Sequence, residues 1–244
     1  MNKSVEVLAD KASLVERARE IVIDKIQDAI ASRGQCSIAL AGGSTPKPLY
    51  EALAQENLPW DKIQVFWGDE RYVAPTDQDS NQRMARSAWL DKIDIPESNI
   101  HPVPTDSQNP AIDAANYEAV MRNIFAVDSP KFPTFDIILL GMGDDGHTAS
   151  LFPQTSVLNE TTKAIAVGNK DGQPRITFTV PLLNQARCVL FLVAGKNKQT
   201  ALEKVFATQG DAMTYPSRLI DPQGELLWLL DLDAGAKIDT TISC

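Results

Sequence analysis

Histidine is nearly absent from this chain: two copies, His101 and His147, occur in 244 residues. Cysteine is scarce as well, and Cys36, Cys188 and Cys244 are odd in number and far apart. The lack of any C-x-x-C or Cys/His cluster with ligand spacing argues against a zinc module and against a disulfide-stapled secreted scaffold. Cys36 and Cys188 fall in apolar, strand-like segments and are expected as buried thiols in a reducing compartment. No apolar run approaches the length that spans a bilayer. The first ten residues carry Glu6 and Asp10 and lack the hydrophobic stretch of a secretion signal. A cytoplasmic protein with no membrane partner is expected. Positive charge is also in deficit, since 32 acidic residues against 23 basic ones leave a formal net charge of −9, which argues against a nucleic-acid partner. An anionic small molecule would have to be held by a few placed cations and backbone N–H groups, not by the overall field.

What is present is an ordinary globular composition, 43% hydrophobic and 23% charged. Strands are predicted over 4–9, 36–41, 63–67, 135–140, 164–167, 175–180 and 188–193, with a last strand over 226–230 closing the sheet. Helices are predicted over 11–32, from Pro46 onward, and over 81–92, 111–125 and 198–208. In the first of them Leu14, Ala18, Ile21, Ile26 and Ile30 recur near the helical period, and Gly34 stops it. This alternation predicts an α/β fold, a mainly parallel, Rossmann-like open sheet with helices on both faces. No repeat, low-complexity tract or linker marks a boundary, so residues 1–244 are expected to form a single domain. The proline-rich stretch 95–110 is expected as a long surface loop.

The most informative segment runs from Phe135 to Pro153, where an apolar strand meets Gly141-Met-Gly-Asp-Asp-Gly146 and then His147. Histidine is the side chain that titrates near neutral pH, and the carboxyl end of a parallel strand is where α/β proteins present reacting groups. His147 is therefore a candidate general base, oriented by Asp145 or Asp144; the plainer reading is a satisfied turn histidine. The loop also matches G-x-G-x-x-G, but two aspartates would repel a pyrophosphate and Pro153 leaves little room for the helix that such a site needs. His101, in Asn-Ile-His-Pro-Val-Pro, has no comparable setting and is expected at the surface.

Gly42-Gly43-Ser44-Thr45-Pro46 gathers backbone N–H groups, two hydroxyls and a helix start at one point, with Thr45 as predicted N-cap and Pro46 at the first helical position. That suits an anion, although a capped helix after a tight turn has the same signature. The Walker pattern is absent, and the S-x-x-K match at Ser44–Lys47 lacks its companion motifs. Asp69-Glu70-Arg71 follows a strand directly; such a triplet is usually a solvated turn, but at a sheet's carboxyl edge its arginine can grip a phosphate or an oxyanion. Arg175, Lys196 and Lys198 supply further cations at strand ends.

Taken together, Leu40-Ala-Gly-Gly-Ser-Thr-Pro46, Phe66-Trp-Gly-Asp-Glu-Arg-Tyr-Val73 with Asp79-Ser-Asn81, the 140–153 segment, Pro174-Arg-Ile-Thr177 and Gly195-Lys-Asn-Lys198 resemble the 6-phosphogluconolactonase family, a relative of the glucosamine-6-phosphate deaminases. Arg71 and Ser150-Leu151-Phe152 point to the lactonases within that pair. The resemblance implies hydrolysis of 6-phospho-D-glucono-1,5-lactone, a small-molecule sugar-phosphate lactone, with no metal and no cofactor; a monomer or small homo-oligomer is expected. It implies His147, Asp145 and Arg71 as catalytic residues, and Gly42, Gly43, Ser44, Thr45, Asp69, Arg71, Arg175 and Lys198 as substrate-binding residues. Tyr215-Pro-Ser-Arg218 departs from the family pattern, leaving Arg218 either near the substrate or simply exposed. Two other readings are an amino-sugar-phosphate deaminase/isomerase and a non-catalytic sugar-phosphate sensor.

Overall fold

The apolar runs become strands because they are buried on both faces, and the amphipathic segments between them become the helices that cover those faces. The computed structural model describes residues 2–238. In chain order the elements are β1 (Asn2–Leu8), α1 (Lys11–Arg33), β2 (Cys36–Leu40), α2 (Lys47–Leu53), β3 (Ile63–Trp67), β4 (Asp69–Arg71), α3 (Asn81–Ala88), α4 (Pro110–Phe125), β5 (Ile137–Leu140), β6 (Ile165–Lys170), β7 (Gln173–Phe178), α5 (Val180–Leu183), β8 (Cys188–Val193), α6 (Gln199–Phe206), β9 (Glu225–Asp231) and α7 (Leu232–Gly235). Six strands pair in the order β1-β9-β8-β5-β2-β3, every pair parallel. The predicted α/β architecture is thus present, a parallel sheet flanked by helices.

The local signals act as their chemistry dictates. Asp10 accepts the Ser13 N–H at 2.7 Å to start α1, and Gly34 ends it at φ 80 with its N–H on the Ile30 carbonyl. Cys36 and Cys188 are buried, as expected of core thiols; Cys244 lies outside the described residues. Among the described residues no helix is long and apolar enough to cross a membrane.

Four expectations need correction. The final strand does not close the sheet: β9 inserts between β1 and β8, where its Trp228 stacks on Phe191 with ring centroids 3.7 Å apart, and β1 takes the edge. The strands over 164–167 and 175–180 do not join the main sheet either; β6 and β7 form an antiparallel hairpin that pairs with β4 in a separate three-stranded sheet. The cause is the Asp171-Gly172 turn, whose φ values of 52 and 86 match the two-residue loops that reverse a strand. Helix α3 stops at Ala88, because Trp89 (φ −138) turns its ring into the core between Tyr50 and Trp60. His101 is only partly exposed: its ring lies 4.6 Å from that of Phe66, its Nε2 meets Gln64 Oε1 at 2.7 Å, and burial pushes its pKa down.

Candidate active site

The chain order of the sheet sets the position of the site. From β2 the chain steps through α2 to β3 on one side, whereas β5 lies on the other side of β2. The loops leaving β2 and β5 therefore part at a topological switch point, where open α/β sheets bind ligands. A cavity of about 450 Å³ opens there. The structure brings Gly42, Gly43, Ser44, Thr45, Asp69, Arg71, His147, Arg175 and Lys198 to its walls, although they are spread over more than 150 positions of sequence.

The end of β2 is fixed by Tyr50, whose hydroxyl donates to the Ala41 carbonyl at 2.7 Å and accepts the Ala41 N–H at 2.9 Å. Lys11 Nζ donates to the Ser44 carbonyl at 2.9 Å and ties the loop to α1. A Cβ on Gly42 would lie 1.9 Å from Asn81 Oδ1, so glycine there is what admits the Asn81 side chain. Thr45 does not cap α2. Pro46 occupies the N-cap position in helical conformation (φ −76, ψ −20) with no side-chain cap bond, so the turn is already wound before the helix begins, and Thr45 lines the cavity instead.

The loop after β5 is held by its own backbone. Gly143 N–H donates to the His147 carbonyl at 2.9 Å, Gly146 N–H to the Gly143 carbonyl at 3.2 Å, and Ser217 donates both its N–H and its hydroxyl to the Gly146 carbonyl at 2.9 Å. Of the two aspartates, Asp145 is the partner of His147. Its Oδ1 lies 2.6 Å from His147 Nδ1 and accepts the His147 N–H at 3.0 Å. Burial pushes the Asp145 carboxyl up, but the hydrogen bonds and charge of His147 outweigh it and hold the pKa at about 2. The carboxylate is therefore ionised at neutral pH, and whatever stability the pair contributes is lost only as pH falls toward 2. Asp145 does not itself line the cavity; it stands behind the imidazole, whose other face packs on Phe152 at 4.5 Å. No α-helix follows the loop, because the chain forms the Thr148↔Leu151 bridge and then a 3-10 turn at Ser156–Asn159. The G-x-G-x-x-G spacing thus lacks the helix N-terminus that a dinucleotide site requires.

Strand alternation in the small sheet sorts the Asp-Glu-Arg triplet. Arg71 pairs with Arg175 and Arg175 with Gly168, so these three positions lie on one face; Asp69 and Thr177 share that face, and Glu70 takes the opposite one. Asp69 Oδ2 accepts the Ser150 hydroxyl at 2.6 Å, and the Asp69 carbonyl accepts Asn81 Nδ2 at 2.9 Å. Burial and the nearby Arg71 charge both push the Arg175 pKa down, as expected where two guanidinium groups face one space. Arg71 donates to the Asp79 carbonyl. Among the described residues, Arg71, Lys170, Arg175 and Lys198 form no ion pair, although the chain carries an acidic excess.

Glu70 is buried, and its carboxylate accepts the N–H groups of Arg71, Asn81 and Gln82 at 2.7–2.8 Å and the Ser80 hydroxyl at 3.1 Å. It clamps the start of α3 to β4 beside Arg71. Burial pushes its pKa up, against those N–H groups. Glu70→Ala is expected to cost about 3 kcal/mol, since each buried donor left unpaired costs roughly 1–3 kcal/mol. Urea unfolding with an unchanged m value measures this.

Sequence reasoning about side-chain chemistry missed Asn81, Ser150 and Lys170, all of which line the cavity. Lys196 does not line it. Arg218 is neither near the cavity nor idle: its guanidinium donates to the Lys204, Val205 and Ala207 carbonyls at 2.6–2.8 Å, capping the end of α6. No residue of the 95–110 stretch lines the cavity.

Known proteins share both sequence and fold. A family model described as glucosamine-6-phosphate isomerases/6-phosphogluconolactonase matches residues 9–228. A 6-phosphogluconolactonase of Synechocystis is 60% identical over 238 residues, covering 98% of this chain and 99% of the relative. The 6-phosphogluconolactonase of Trypanosoma cruzi superposes with a TM-score of 0.87 at 30% identity, covering 100% of this chain and 99% of the other. A monomeric glucosamine-6-phosphate deaminase shares the fold at 20% identity and a TM-score of 0.80, covering 96% of this chain and 99% of its own. On sequence and fold together, this chain belongs to the glucosamine-6-phosphate isomerase/6-phosphogluconolactonase family.

Proposed function

We propose that this chain hydrolyses 6-phospho-D-glucono-1,5-lactone to 6-phospho-D-gluconate, a step of the oxidative pentose phosphate pathway, with His147 as general base. The carrying observation is the His147–Asp145 pair, Nδ1 to Oδ1 at 2.6 Å, opening on a cavity ringed by four cations without ion pairs. Asp145, ionised at neutral pH, accepts from Nδ1–H and leaves Nε2 as the ring's basic atom. Nε2 takes a proton from water as the water oxygen bonds to the lactone C1. The carbonyl electrons move onto oxygen, and cations with loop N–H groups stabilise that oxyanion. Collapse of the intermediate breaks the bond from C1 to the ring oxygen, which receives the proton from Nε2. The N–H groups at Gly43, Ser44 and Thr45, with Arg71, Arg175 or Lys198, hold the phosphate and carbonyl oxygens, while Asp69, fixed by Ser150, faces the sugar. Asp145 acts through His147 as a positioning residue.

The same fold serves a deaminase, so fold alone does not choose the chemistry. Arg71 and Ser150-Leu151-Phe152 favour the lactonase, as does 60% identity to a relative of that name. We place the enzyme in the cytoplasm as a monomer or small homo-oligomer working without a cofactor, a setting that its free buried thiols suit. Incubation with freshly made phospholactone is expected to release acid faster than spontaneous hydrolysis, and glucosamine 6-phosphate to yield no ammonia. Robust ammonia release would overturn the assignment.

A further inference from the structure

Lys170 is the last residue of β6, immediately before the Asp171-Gly172 turn, and no feature of the sequence pattern singles it out. Register places it. Gly168 stands opposite Arg175 on the cavity face, and Lys170, two residues on, shares that face. A Cβ at Gly168 would lie 2.6 Å from the Ser150 carbonyl oxygen, so the absent side chain lets the hairpin dock directly on the segment that follows His147. Docked there, Lys170 lines the cavity with its Nζ 5.7 Å from the centroid of the Phe152 ring. The same ring packs on the His147 imidazole at 4.5 Å. The base and this cation therefore share one aromatic neighbour. Among the described residues Lys170 has no acidic partner within ion-pair distance, and its ammonium rests against the Phe152 ring in a cation–π contact.

Resting on the lactonase reading, we propose that Lys170 is a specificity-determining residue that leaves Phe152 to grip the substrate's phosphate. A 1,5-lactone whose carbonyl carbon sits at His147 carries its phosphate on the C6 arm, attached to C5 across the ring oxygen from C1 and so apart from the carbonyl. A cation on the neighbouring hairpin, beside the Phe152 ring and not on the His147 loop itself, meets that group and not the carbonyl. An ammonium on a four-carbon stem can follow a phosphate as a point charge, and leaving a weak ring contact for a dianion is favourable.

The test compares wild type, Lys170→Met and Lys170→Arg on 6-phosphogluconolactone and on unphosphorylated gluconolactone. Lys170→Met is expected to lower the ratio of kcat/KM for phosphorylated over unphosphorylated lactone by about tenfold, the scale of one lost charge-assisted hydrogen bond. The loss should sit in KM, and Lys170→Arg should restore most of it. Equal losses on both substrates, or a loss in kcat alone, would overturn the proposal. Calorimetric binding of 6-phosphogluconate supplies a readout free of turnover, in which Lys170→Met should weaken Kd about tenfold and equal affinity would overturn the role of Lys170. Failure of the wild type to hydrolyse the phospholactone would instead overturn the functional reading on which the role rests.

Discussion

Replacing His147 with alanine is expected to lower kcat for the phospholactone by about 10²–10⁴, the range that a positioned general base supplies. The ring is well placed for that role and little used for stability. It is partly exposed, its carbonyl and N–H remain bonded within the loop, and its side-chain contacts are Asp145 and Phe152. The variant should therefore fold, with a circular dichroism spectrum and thermal midpoint close to wild type. Residual activity is expected, because cations and loop N–H groups still stabilise the oxyanion and still bind the phosphate. A drop in kcat with a nearly constant KM marks the loss of an interaction made in the transition state.

Gly143→Ala is the second large effect, and it acts through geometry alone. A Cβ at this position would lie 2.1 Å from His147 Nδ1 and 2.5 Å from Asp145 Oδ1, so the imidazole and the carboxylate that aims it must both move. Misplacing a catalytic group by about 1 Å costs on the order of 10² in rate. Gly141→Ala is the matched comparison: a Cβ there meets nothing within 4 Å and the residue has no positive φ, so its loss should be far smaller. Steady-state kcat for the two variants, measured beside their thermal midpoints, separates displaced chemistry from impaired folding. If Gly143→Ala turned over like Gly141→Ala, the close packing of the His147–Asp145 pair would not matter to the reaction.

The parallel strands were legible because β2, β5 and β8 are continuous apolar runs, the mark of strands buried on both faces. The small sheet was not, although its cause lies in the sequence: Asp171-Gly172 between two short strands is a strong local hairpin signal. Without the hairpin the register is lost, and with it the face on which Lys170 stands. Asn81 escaped chemical reasoning for a related reason, since its place depends on the notch left by Gly42, 39 positions earlier. The Asp-Glu-Arg triplet was legible as three charges, but only strand alternation shows that Asp69 and Arg71 face the cavity while Glu70 fastens α3. Arg218 shows the opposite error: a cation that the sequence placed either near the substrate or in solvent is occupied with the carbonyls that end α6. His147 itself was legible because histidine is so rare here and because a glycine-rich loop after a strand is where such a residue acts.

The measurement that bears most directly on His147 as base is the pH profile of kcat/KM for freshly made 6-phosphogluconolactone, corrected for spontaneous hydrolysis, in wild type and in His147→Ala. In wild type the activity should fall on the acid side by about tenfold per pH unit, the slope of one proton taken up by the free enzyme. The residual activity of His147→Ala should be low and should lack that acid limb. A variant that kept the wild-type rate, or that kept the limb, would show that another group takes the proton from water.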